Sequence, residues 1–193
     1  MDMSKTTDIS RHFMVFFDNF PISKSTVRTG NNSSEVVTAC RSINVGLFLS
    51  GNLRRNTSVS IAYPCEENIA CITFPGNTLR RVSPDERSIS FFLLKAQKSL
   101  GDFKDGYRIM DNGIILMHSP FDVVLNLMAI ENVHIAEQKY EPNPNYRVSD
   151  KGIFVYLMSE DLKRITDNFS SIPHPPTPER LILDLNMYFD SMP

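Results

Sequence analysis

Apolar positions along the chain alternate between short strand-length runs and stretches with helical spacing. Residues 12–17 form a short apolar run, the pattern of a strand buried on both faces. Residues 18–33 read as a polar loop containing Pro21 and Gly30. Val36, Cys40, Ile43 and Leu47 then recur at steps of four, three and four, which predicts one face of a helix beginning at Ser33 or Ser34 and ended by Gly51-Asn52. Residues 58–63 and 69–74 are β-type runs joined by a turn at 64–68. Ser83-Pro84-Asp85-Glu86 predicts a helix start, with Ser83 as N-cap, Pro84 in the first turn and Glu86 closing a capping box. That helix presents Ile89, Phe92, Leu93 and Ala96 on one side, and residues 101–112 follow as a polar connection.

The second half repeats the alternation. Residues 114–117 predict a strand, and Ser119-Pro120-Phe121-Asp122 a second capped helix with Val124, Leu125, Met128 and Ala129 inward. Residues 139–150, with Pro142 and Pro144, read as a flexible excursion. Residues 153–158 carry no charge and form the strongest strand pattern; Ser159-Glu160-Asp161 can open a helix through Ile165. A last short strand is predicted at 169–172, a rigid connector at His174-Pro175-Pro176, and a third capped helix from Thr177-Pro178 to Phe189. Strands alternating with helices define an α/β class with an open, mostly parallel sheet and helices on both faces. Residues 1–10 read as a flexible N-terminal tail and 11–193 as a single domain.

Composition narrows the function. The 193 residues are 41% apolar and 22% charged, enough for a sizeable core and unlike a disordered chain. The net charge of −2 argues against wholesale electrostatic binding of nucleic acid but leaves room for a local basic face. Three cysteines with no secretory signal imply reduced thiols and a cytoplasmic protein; Cys40 and Cys71 fall in core patterns. No apolar run approaches membrane-spanning length, so no membrane is expected. His12, His118, His134 and His174 lack paired ligand spacing, so no metal is expected. No nucleophile elbow or glycine-rich phosphate loop is present. Glu160-Asp161, after the strongest strand, reads either as an acid–base pair or as acids decorating a first helical turn. Arg54, Arg55, Arg80 and Arg81 lie in loops beside helix ends, with Arg28, Arg41 and Arg87 candidates to join them. Their planar forks suit phosphate.

Two of these stretches, together with the order of elements, carry a family resemblance. Ala39-Cys40-Arg41 leading into Leu47-Phe48-Leu49-Ser50-Gly51-Asn52-Leu53-Arg54-Arg55-Asn56 is similar to an F-L-S-H-D-x-R-R-D segment. Gly76-Asn77-Thr78-Leu79-Arg80-Arg81-Val82-Ser83-Pro84-Asp85-Glu86-Arg87-Ser88 is similar to G-x-x-L-R-x-x-S-P-D-E-R-S. Both motifs and the order of elements resemble the archaeal tRNA pseudouridine-54 N1-methyltransferases, the TrmY family of the SPOUT superfamily. The resemblance implies a C-terminal trefoil knot, an exception to unknotted topology, a pocket for S-adenosylmethionine, and a homodimer.

The cofactor half matches in part. Tyr156-Leu157-Met158-Ser159-Glu160-Asp161 resembles the family's F-L-L-S-D-H, Ile172-Pro173-His174-Pro175-Pro176 stands where I-S-L-G-P would be, and Asn186-Met187-Tyr188-Phe189-Asp190 resembles H-N-Y-L-D. Gly152 is the last glycine, Asn52 and Asn56 stand at two family aspartate positions, and Leu181 lies near the family's helix cysteine. The resemblance thus implies an S-adenosylmethionine-dependent methyltransferase acting on tRNA. Leu157, Met158, Ser159, Ile172, His174 and Pro175 would form the cofactor site. Arg54, Arg55, Arg80, Arg81 and Arg87 would bind RNA, and Asn52 would stand nearest the catalytic position. The alternative is a catalytically inactive homodimer of the same fold that binds RNA or protein.

Overall fold

The structure, a computed structural model, describes residues 9–128, 132–138, 148–159 and 169–191. In chain order the elements are β1 (Arg11–Phe16), α1 (Lys24–Thr29), α2 (Ser34–Leu47), β2 (Phe48–Leu49), β3 (Asn52–Leu53), β4 (Thr57–Cys65), β5 (Asn68–Pro75) and α3 (Glu86–Leu100). There follow β6 (Gly106–Ile109), β7 (Ile115–Ser119), α4 (Phe121–Leu127), β8 (Val133–Glu137), β9 (Gly152–Leu157), β10 (Ser170–Pro173) and α5 (Pro178–Asp190).

The continuous apolar runs explain the sheet. β1 and β9 are buried at every position and therefore lie inside it, where both faces are covered. The sheet order is β10-β8-β9-β1-β4-β5-β7-β6. From β10 to β4 all pairings are parallel; β5, β7 and β6 continue the sheet antiparallel. β1 pairs residue for residue with β9, Arg11 opposite Gly152 through Phe16 opposite Leu157. Alternation along β1 splits the core. Phe13 and Val15 face the layer holding α2, α3 and α5, whereas Met14 and Phe16 face α4. Helices thus cover both faces, and the first and last elements share one core.

Two glycines allow the closest approaches. A Cβ on Gly46 of α2 would lie 2.4 Å from Val59 Cγ2 of β4, so this helix can rest on the strand only with glycine there. A Cβ on Gly76 would lie 1.8 Å from the Arg54 carbonyl oxygen, so the loop after β5 crosses the backbone that leads into β4.

Several boundaries differ from the sequence pattern, each for a local reason. α2 begins with Ser33 as its cap, as its polar start suggests, and Val36, Cys40, Ile43 and Leu47 are all buried. Its end is Leu47, because Phe48-Leu49 pairs with Asn52-Leu53 in a hairpin; Gly51 belongs to the hairpin turn and not to the helix end. α3 is capped by Asp85, not Ser83. The Asp85 carboxylate accepts the Ser88 N–H at 2.8 Å, and the Ser83 N–H donates to Ser88 Oγ at 3.0 Å. The Pro84 carbonyl meanwhile accepts from the Asn44 side chain, which holds Pro84 outside the helix. Ser119 does not cap α4, because its hydroxyl donates to Asp105 at 2.7 Å.

Besides the two short strands of that hairpin, α1, β6 and β8 were not evident from the pattern. α1 lies inside the stretch read as loop; it is six residues long, capped by Ser23 and Gly30, and buries only Val27. β6 lies in the polar connection as an edge strand with Tyr107 and Arg108 exposed. β8 buries His134 against the Phe154 ring (5.1 Å, 16°), so a histidine interrupts its apolar run. The excursion at 139–150 and the helix opened by Ser159-Glu160-Asp161 fall largely outside the described residues, as does Ala129. Cys40 and Cys71 are packing residues, and burial pushes their thiols up to about 12 and 11. No helix among the described residues is long and apolar enough to cross a membrane.

His12 links β1 to β4 through a 2.6 Å hydrogen bond between Nδ1 and Ser58 Oγ. Burial drives its imidazole down from 6.5 to about 4, against a smaller opposing effect of a hydrogen bond with the Ile9 backbone. The unfolded chain therefore takes up a proton below pH 6.5 that the folded chain refuses until about pH 4. Stability present above that window should fall by about 2 kcal/mol between pH 7 and pH 5 from this group. Urea unfolding of wild type and His12→Asn at the two pH values measures it; the variant should lack this part of the fall.

Candidate active site

Parallel strands leave a crevice beyond their carboxyl ends, and this sheet has one where β8, β9 and β10 finish. The cleft encloses about 430 Å³. Its floor is Ala136, Leu157 and Met158; α2 contributes Thr38 and Arg41, and the start of α5 contributes Thr177 and Glu179. The local sequence sets each wall. β9 stays in the ladder as far as the Met158 N–H, which donates to the Phe16 carbonyl at 2.9 Å. Ser159 then leaves the sheet and donates its hydroxyl to Asp18 at 2.6 Å. Thr177 accepts the Arg180 N–H and Pro178 occupies the first turn, so α5 begins at the cleft, as the Thr-Pro pattern predicts.

The proline connector is held by one aromatic residue. Tyr156 donates its hydroxyl to the Pro175 carbonyl at 3.0 Å, and its ring lies 4.4 Å from the His174 ring. Burial, then the charge of Glu179, pushes the Tyr156 phenol up, so it remains a neutral donor. Pro173, Pro175 and Pro176 have no N–H, and the connector offers carbonyls, the His174 ring and hydrocarbon. Glu179 Oε2 is buried with no hydrogen-bond partner among the described residues. A carboxylate oxygen shielded in this way is an acceptor ready for an N–H or O–H donor.

Four of the six predicted cofactor residues, Leu157, Met158, Ser159 and His174, line this cleft. Ile172 is 1% exposed and packs in the core, and Pro175 takes part through its carbonyl to Tyr156. Asn52 is elsewhere. It lies on the hairpin after α2, at the edge where β1 and β4 begin, with Oδ1 accepting its neighbour Leu53 N–H at 2.8 Å. The two edges are roughly 17 Å apart along five strand steps. Pattern reading overlooked Glu179, Thr38 and Arg41 as cleft residues; the acid two positions after a Thr cap at a helix start was the available signal for Glu179.

The predicted phosphate-binding arginines fall into two groups. Arg54 is 16% exposed and pairs with Asp190 at the end of α5, where Arg11 also binds at 2.6 Å. Arg11 in turn stacks over Phe189 at 5.1 Å. Arg55 donates to the Gly76 carbonyl at 3.2 Å. Arg80, Arg81 and Arg87 are exposed, and no acid among the described residues pairs with them. Arg81 holds a left-handed φ of 62°, which turns the chain toward α3.

The fold and cleft define an α/β protein with an open crevice at the carboxyl ends of parallel strands. The family described as putative SAM-dependent RNA methyltransferases matches residues 29–165, and the chain belongs to it. Curated relatives named tRNA (pseudouridine(54)-N(1))-methyltransferase come from Methanococcus maripaludis strain C5, 30% identical over 126 residues, and strain C6, 29% identical over 126 residues. Each of these matches covers 64% of this chain and 63% of the relative, so the chain spans less than two thirds of their length. The relative of the same name from Methanococcus aeolicus is 42% identical over 66 residues, 34% of this chain and 32% of its own.

The Asp190 cluster has a measurable consequence. Burial would raise the Asp190 carboxyl, but hydrogen bonds from Arg11 and Arg54 outweigh it and hold the group below the usual carboxylate range. Asp190→Asn leaves Arg11 buried without its counter-charge. Allowing for the half-exposed carboxylate, the loss should be about 1–2 kcal/mol at pH 7 in urea unfolding. The difference from wild type should shrink as pH falls through the depressed pKa, where the carboxyl is protonated in both states.

Proposed function

We propose that this chain is an S-adenosylmethionine-dependent methyltransferase that acts on tRNA, at N1 of a pseudouridine. The observation that carries the reading is the cleft beyond β9, which Leu157, Met158, Ser159 and His174 line together with Glu179, whose Oε2 is buried without a partner among the described residues. Its volume lies within the roughly 300–1,000 Å³ of small-molecule sites. The residues present fit the cofactor. Ala136, Leu157 and Met158 offer apolar surface for the adenine, Glu179 and Thr177 can accept hydrogen bonds from ribose hydroxyls, and exposed Arg41 can pair with the carboxylate. When bound, the cofactor supplies an electrophilic methyl group.

What the chain itself does is hold and orient. Tyr156 fixes the connector that closes one side, so that His174 and Pro176 keep a constant distance from β9. The start of α5, with its positive dipole end, borders the cleft, which favours a carboxylate there. Exposed Arg80, Arg81 and Arg87 carry the phosphate contacts, while Arg54 serves the fold through Asp190.

The same reading takes residues 11–193 as one SPOUT-type domain with the C-terminal trefoil knot, working as a cytoplasmic homodimer without a metal. The outer side of α5 supports the dimer. Leu183, Met187 and Tyr188 are exposed there, with Met187 at 62%. They form an apolar stripe at helical spacing that a second copy can cover. Met187→Glu should convert a dimer to a monomer in light scattering coupled to size exclusion, whereas a monomeric wild type would reject the dimer.

Calorimetric titration with S-adenosylmethionine and S-adenosylhomocysteine tests the cleft. Micromolar binding, about −8 kcal/mol, is expected. Glu179→Gln should weaken both ligands by about tenfold, equivalent to about 1.4 kcal/mol. Absence of heat with either ligand would reject the enzyme and leave a non-catalytic RNA- or protein-binding module. Transfer of a labelled methyl group to a tRNA transcript bearing pseudouridine 54 then identifies the product.

A further inference from the structure

A second depression lies on the same helical layer, on the opposite side of α2 from the cleft. It is a groove of about 540 Å³ between α1 and α3. Four cations line it: Lys24 and Arg28 from α1, and Arg87 and Lys98 from α3. All four are exposed, and no acid among the described residues pairs with them. The single acid in the lining, Asp85, already accepts the Ser88 N–H as the cap of α3. In their midst Phe91 is 54% exposed, with its ring edge-on to Phe92 at 5.3 Å. An exposed aromatic ring in a groove lined by cations is the combination that binds single-stranded nucleic acid, the ring stacking a base and the cations holding phosphates. A protein helix would need a broader apolar floor, and here only Val27 and Leu94 lie beneath Phe91.

A smaller depression between α2 and α3 is lined by Cys40, Arg41, Asn44 and Glu86, and Arg41 belongs to the cleft wall as well. Asp85 and Arg87, at the groove's near end, flank Glu86 in sequence. A strand lying along Lys98, Phe91, Arg28 and Arg87 would, if continued past Glu86, come to Arg41 in the cleft wall.

We propose that the α1–α3 groove holds an unpaired stretch of the RNA substrate, with one base stacked on Phe91 and its phosphates on Lys24, Arg28, Arg87 and Lys98. The proposal rests on the RNA-methyltransferase reading. It extends the phosphate-binding surface of that reading from Arg87, which the two share, into the groove beyond the Arg80-Arg81 loop, and adds a requirement for single-stranded RNA beside the target.

Fluorescence anisotropy with a labelled twelve-residue oligouridine and with an RNA duplex of equal length tests it, over a range of salt. Phe91→Ala should weaken oligouridine binding by about tenfold, leave its salt slope unchanged and leave duplex binding unchanged, because a duplex presents no free base face. Phe91→Tyr should bind oligouridine as wild type does. Arg28→Gln and Lys98→Gln should each lower the single-strand salt slope by about 0.7. Oligouridine binding that none of these variants changes would overturn the groove while leaving the RNA reading intact. Wild type that binds neither RNA but still binds S-adenosylhomocysteine would overturn both. Far-ultraviolet circular dichroism and melting of each variant separate these outcomes from misfolding, and the exposure of all the altered side chains keeps that risk small.

Discussion

The parallel pairing of β9 with β1 is the constraint on which this molecule depends. Six residues of the C-terminal region pair in register with six residues near the N-terminus, and both strands are fully buried. No local turn can make such a pairing; it closes a loop of more than a hundred residues, and its entropic cost is offset only by burying both strands on both faces. Once β9 is fixed, β8 and β10 extend the parallel sheet outward and their carboxyl ends open a crevice. Then α5 folds back over the other face until Asp190 reaches Arg11 at the start of β1. The cleft and the ion cluster are thus the two ends of one return path.

The two ends divide the chemistry. At the carboxyl edge, an apolar floor, a connector pinned by Tyr156 and a shielded carboxylate oxygen line the cleft proposed for the cofactor. The proline-rich connector lacks the N–H groups and the glycine freedom that a backbone cradle uses, so side chains and carbonyls must do the recognition. At the amino edge, the hairpin and the Gly76 loop cross at van der Waals limits, where Arg55 holds the crossing and Arg54 is committed to the ion cluster at Asp190. Arginine in a motif is therefore not a uniform signal. One of the pair at 54 and 55 closes an ion cluster, the other donates to a carbonyl, and those at 80, 81 and 87 face solvent.

α2 connects these regions. Its inner face is core, its middle lends Arg41 to the cleft, its flank borders α3, and its end becomes the hairpin. A single helix can serve all four because successive residues point in different directions, and Gly46 lets it lie directly on β4.

The sequence by itself determined the class of fold, the buried strands β1, β4, β5 and β9, the buried face of α2 and the start of α5, because these follow from apolar periodicity and local capping chemistry. Its motifs also sufficed for the family. Short or interrupted elements were illegible, since six residues of α1 or a histidine within β8 leave no period to read. Capping was misassigned at Ser83 and Ser119 because Asn44 holds Pro84 outside α3 and Asp105 takes the Ser119 hydroxyl, one from another helix and one from a loop. Only the tertiary structure decided that Leu157, His174, Glu179 and Arg41 share one cleft, that Asn52 lies at the far edge, and that Phe91 stands among four cations between α1 and α3. The physical reason is that these neighbours are set by strand order and helix packing, which join residues from tens to more than a hundred positions apart, and no local pattern records such a distance.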